Sequence, residues 1–102
     1  MRVHEEAFQS ALAHLTDENA AYRWGAAEAL GRMGDPRAIG PLIKALRDED
    51  WRVRMKAAWS LGRLGDRSAL GPLREARRDP AEGVQDMAKE AEEAILQSAR
   101  DQ

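Results

Sequence analysis

Cysteine is absent from the 102 residues. That excludes disulfides and thiolate metal sites, and it fits a reducing compartment. No apolar run approaches the roughly 20 residues that a membrane helix needs, and the start lacks the apolar core of a signal peptide. A cytoplasmic protein without a membrane span is the expectation. Net charge is only −2, so nothing global points to nucleic acid or an anionic surface. The charge is unevenly placed, however. Residues 79–102 hold seven acids against Lys89 and Arg100, a net −5, which leaves +3 for the rest. No serine or threonine sits beside a histidine in a nucleophile-like context. The Gly-x-x-Gly segments read as helix ends rather than phosphate loops.

What the chain does have is a period. Gly31, Gly34 and Asp35 return 31 residues later as Gly62, Gly65 and Asp66. The same step carries Pro41 onto Pro72, Arg23 onto Arg54, and Asp17 onto Asp48 and then Asp79. A constant offset of this size is the mark of stacked helical repeats. The chain is therefore read as all-α: a right-handed α-solenoid of three helical hairpins, six helices in a single domain over 1–102. The units fall at about 3–34, 35–65 and 66–99.

In the first unit, Ala7, Phe8, Ala11, Leu12 and Leu15 follow the three-and-four spacing of a buried helical face. One period on they become Ala38, Ile39, Leu42, Ile43 and Leu46. Asp17 and Asn19 offer oxygens to cap a second helix, whose inner face reads Tyr22, Ala26, Ala29, Leu30 and Met33. Gly34 ends it, since glycine takes the left-handed conformation without a Cβ clash. Asp35-Pro36 opens the second unit, and Pro41 is expected to bend its first helix by removing a backbone hydrogen bond. Asp48 and Asp50 cap the helix that buries Val53, Ala57, Leu61 and Leu64. Val84, Ala88, Ala91 and Ile95 hold the inner side of the last helix, 81–99. There Lys89, Glu92 and Glu93 replace Ala58, Leu61 and Gly62. Terminal repeats need a polar outer face, so the third unit reads as a charged cap and the array as complete at three.

The stretches Ala26-Ala27-x-Ala29-Leu30-Gly31-x-Met33-Gly34-Asp35 and Ala57-Ala58-x-Ser60-Leu61-Gly62-x-Leu64-Gly65-Asp66 resemble the short HEAT-like repeat first associated with phycobilisome lyases. The resemblance runs from about residue 7 to 96 and is strongest over 20–76. Gln85 departs from it, standing where the family carries an arginine. The resemblance implies a scaffold whose second helices line a concave groove. Arg23 and Arg54 then read as bonds between repeats, made to the capping aspartates. The groove positions implied are Trp24, Glu28 and Arg32 in the first unit and Trp51, Arg52, Met55, Lys56, Trp59 and Arg63 in the second. Asp86, Met87 and Glu90 supply the third.

All three tryptophans fall on groove positions and none on a stacking position. Trp51, Met55 and Trp59 are spaced i, i+4, i+8, a stripe along one helix side. Three indoles, each of roughly 150–250 Å², make a patch that a monomer rarely leaves bare. The expected function is a non-enzymatic protein–protein interaction module, binding a partner segment with one acidic and one basic end. Two grooves closing on each other as a homodimer is a second reading, and tryptophans in the core a third. A nucleic-acid-binding groove is the alternative class, since arginines interleaved with aromatics suit phosphates and bases; the acidic third unit opposes it. A flat ligand such as a bilin is suggested by the resemblance alone. His4-Glu5 is similar to the His-Glu pairs of HEAT-like deoxyhypusine hydroxylases, but those enzymes need several pairs and here there is one. No metal, cofactor or catalytic residue is expected.

Overall fold

A computed structural model describes residues 2–101. Six α-helices and no strand occur among them: α1 (Val3–His14), α2 (Ala20–Met33), α3 (Ile39–Ala45), α4 (Trp51–Leu64), α5 (Leu70–Ala76) and α6 (Glu82–Arg100). Single 3-10 turns, Pro36–Ala38 and Arg67–Ala69, lead into α3 and α5. The fold is an all-α solenoid of helical hairpins. α2, α4 and α6 lie side by side as one layer, and α1, α3 and α5 each cover their own partner in a second. The result is a slab of 34 × 34 × 15 Å.

Local chemistry places the ends of α2 and α4 and the starts of both 3-10 turns. Asn19 and Asp50 accept the Ala21 and Arg52 N–H groups at the starts of α2 and α4, satisfying donors that lack an intrahelical partner. Asp35 and Asp66 do the same for the 3-10 turns. Gly34 and Gly65 close α2 and α4 with φ of 70° and 72°, the left-handed region where a side chain would be strained. Phe8, Leu30, Leu42, Val53, Leu61, Leu73, Val84 and Ile95 form the spine of the core, all essentially inaccessible. Layer spacing is set by two small residues. A Cβ on Gly62 would stand 2.9 Å from the Ala91 Cα, and Gly31 meets Ser60 as closely, its hydroxyl donating to the Ala27 carbonyl.

Three expectations are corrected. Pro41 and Pro72 do not bend a helix from within. Each is the third residue of α3 or α5, in the first turn, where a missing N–H breaks no intrahelical bond. The discontinuity lies just before, as the 3-10 turn. Tyr22 is not on an inner face but 57% exposed, because the period extends a buried position into a unit that has no neighbour on that side. Glu92 does not face outward as part of a charged cap. It is 7% exposed and occupies the core position of Leu61, held by Arg74 at 2.6 Å and Arg77 at 2.8 Å. The two arginines keep its carboxyl below the usual range, Arg74 contributing most. Glu93 and Lys89 are exposed there, as the sequence leads one to expect.

Candidate protein-binding face

Register between units is held by arginine. Arg23 donates through Nε to Asp48 at 2.9 Å and through Nη1 to the Asp17 carbonyl at 2.9 Å. Arg54 repeats the pattern on Asp79 at 2.7 Å and the Asp48 carbonyl at 2.8 Å. These are the inter-repeat bonds that the resemblance implies. In the third unit Gln85 keeps only half of the pattern, donating to the Asp79 carbonyl at 2.6 Å.

With the stack so fixed, the face of α2, α4 and α6 turned away from α1, α3 and α5 carries the tryptophans. Trp51 is the first residue of α4 and is 46% exposed. Its ring and the Met55 sulfur lean on Gly83 of α6, where a Cβ would come within 3.4 Å of the indole and 3.6 Å of the sulfur. A glycine there leaves both side chains room to lie flat. Trp59 borders an open groove of about 390 Å³ between α4 and α6, shared with Arg63, Met87, Glu90 and Ala94.

Trp24 and Trp59 are half-buried rather than bare. Lys56 Nζ lies 5.6 Å from the Trp24 ring centre and 5.7 Å from that of Trp59. Arg63 and Arg32 flank Trp59 at 5.0 and 5.8 Å, so the indoles alternate with cations. Glu28 sits at the centre of this cluster, 2.8 Å from Lys56 and 2.9 Å from Arg32. Lys56 foremost, and then Arg32, hold its carboxyl below the ordinary value. Trp24, Glu28, Arg32, Lys56, Trp59 and Arg63 thus form one network.

Two residues of the anticipated site behave differently. Arg52 pairs at 2.9 Å with Asp50, the cap of its own helix, and pulls that carboxyl down to about 2. It adds no free positive charge to the face. Asp86 is exposed and joins no ion pair among the described residues. The expected positive rim is therefore reduced to Arg63, whose polar contact is a 3.5 Å approach to the Gly31 carbonyl. Glu28 as neutralising hub is what sequence reasoning missed, although its i, i+4 spacing to Arg32 was visible. His4 and Glu5 are committed elsewhere, to Asp35 at 3.1 Å and to Arg37 at 2.8 Å. They tie α1 to the second unit. No group of three or more potential metal ligands, and no helix long and apolar enough to cross a membrane, occurs among the described residues.

Hairpins stacked at a constant register, joined by an arginine ladder, define an α-helical repeat protein. The sequence model for HEAT repeats matches residues 8–95, and the chain belongs to the HEAT-repeat family. Searching curated proteins finds no match. HEAT repeats commonly mediate protein–protein interaction and are generally non-enzymatic scaffolds.

Proposed function

We propose that this chain is a non-enzymatic interaction module that holds a segment of another protein on its tryptophan face. The observation that carries the reading is Trp51. Nearly half of its surface is in water although its ring rests against Gly83 across the α4–α6 junction, where the buried contacts are made by Val84, Ala88 and Ala91. Beside it, Met55, Trp59 and Met87 continue an apolar strip along the α4–α6 groove. Aromatic anchors in such a groove are where interface energy concentrates. Arg63 and Glu90 flank the groove without ion-pair partners among the described residues. They suit a segment carrying an acidic and a basic side chain around an apolar centre, and they fix its direction. A nucleic-acid strand is less well served. Lys56 and Arg32 share Glu28, Arg52 is spent on Asp50, and Glu90 stands in the groove.

The test is a peptide-display selection on the full chain, counter-selected against the Trp51→Ala/Trp59→Ala variant. Binders are expected to be short amphipathic segments whose affinity falls about tenfold or more on that variant, the scale of a lost hot spot. Helical signal and cooperative melting should persist. Binders indifferent to both tryptophans, or a variant that unfolds, would sink the reading.

A further inference from the structure

Each internal junction is built from the same positions. At the α2–α4 junction Val53, Ala57 and Ser60 are fully buried, with Ser60 against Gly31. Val84, Ala88 and Ala91 repeat this at α4–α6, with Ala91 against Gly62. Each junction also has an acidic socket. Asp48 and Asp79 bond the N–H two residues on and receive Arg23 or Arg54 from the preceding unit. Glu49 approaches Arg23 as well, at 3.6 Å.

Among the described residues nothing covers the same positions of the first unit. Tyr22, at the Val53 position, is 57% exposed, and Ala7 is exposed where Ala38 and Ala69 are sealed. A shallow groove of about 350 Å³ runs between α1 and α2, lined by Ala7, His14, Tyr22, Gly25, Ala29 and Met33 and by no carboxylate, lysine or arginine. Asp17 already bonds the Asn19 N–H at 2.8 Å, as Asp48 and Asp79 bond theirs. No arginine meets it among the described residues, and Glu18 stands beside it at the position of Glu49. Apolar face and acidic socket recur together at the register of the two occupied junctions.

The opposite end of this chain cannot fill that face. Gln85 replaces the arginine, Lys89 the alanine, and Glu93 the glycine at the point of closest approach. Head-to-tail stacking of a second copy is therefore blocked. We propose that the α1–α2 end is a docking surface for the open end of a separate α-solenoid. The occupant is a terminal hairpin whose second helix presents arginine, alanine, leucine and glycine at the spacing of Arg54, Ala58, Leu61 and Gly62. The face accepts one hairpin, and Lys89 and Glu93 disfavour another stacking on α6.

The full chain itself supplies the probe. Gln85→Arg, Lys89→Ala, Glu92→Leu and Glu93→Gly together rebuild the missing junction surface at its closing end. Light-scattering mass should show the wild type monomeric at every concentration, and the four-fold variant growing head to tail as concentration rises. Adding Asp17→Asn should raise the concentration needed about tenfold, the scale of a lost interfacial charge pair, and adding Ala29→Arg should stop growth. If the four-fold variant loses its cooperative melt, the three-fold form that retains Glu92 and its arginines carries the same test. A folded variant that stays monomeric, or growth indifferent to Ala29→Arg, overturns the proposal. So does a wild-type dimer dispersed by Ala29→Arg, since a second copy would then be the occupant.

Discussion

At the scale of single residues, carboxylates do most of the joining. Arg37 and then His4 hold the Asp35 carboxyl far below its usual range, and Arg52 brings Asp50 to about 2. Burial works against ionisation of Asp79, but Arg54 and the Ala81 N–H overcome it and leave that carboxyl lowered too. Glu92 is lowered by Arg74 and Arg77. A carboxyl whose folded value lies below its unfolded value, about 4 for Asp and Glu, contributes stability that is full above that pH. The contribution is lost as pH falls through the folded value. The melting temperature is thus expected to be level between about pH 5 and 8 and to fall steadily below about pH 4. Thermal scans followed by circular dichroism read this directly, and a melting temperature that rises on acidification would contradict it. Glu92→Gln should cost about 1 kcal/mol at neutral pH, the net value of charged hydrogen bonds at a partly wet site, and should shrink the acid-dependent fall.

At the scale of elements, helix spacing decides which glycines matter. Gly62→Ala drives a methyl into the backbone of α6 and should destabilise by about 2 kcal/mol, the range of overpacked cores. Gly25 in the interior of α2 has no atom within 4 Å of an added Cβ. Gly25→Ala should therefore stabilise the monomer by up to about 1 kcal/mol through helix propensity. Urea melts of the pair give the comparison, and equal effects would mean that the layers are not packed as described. The same physics explains what was legible in the sequence. Gly34, Gly65, Asp35, Asp66, Pro41 and Pro72 answer to backbone requirements at fixed positions, so their 31-residue step exposed the hairpins. Glu92 was illegible because a glutamate in a leucine's place reads as surface. Only Arg74 of α5 and Arg77 at its C-terminal cap make it an interior residue. Helix phase likewise grouped Trp24 with Trp59, yet their partial cover depends on how far Lys56 reaches across from α4, which spacing does not encode.

At the scale of the molecule, stability in a stack is the sum of units and their junctions, and here the two junctions are alike while the surfaces left over are not. One end is apolar with an acidic socket, the other charged, and the broad face between them carries aromatic rings that lie over the junctions without being sealed in them. The claim that the tryptophan face receives a partner is met most directly by following the three indole N–H resonances while a display-selected peptide is added to the full chain. Trp51 and Trp59 are expected to shift in step with saturation, along with amides of α6 around Met87. Indoles that stay in place while amides of α1, α3 or α5 move would contradict the account.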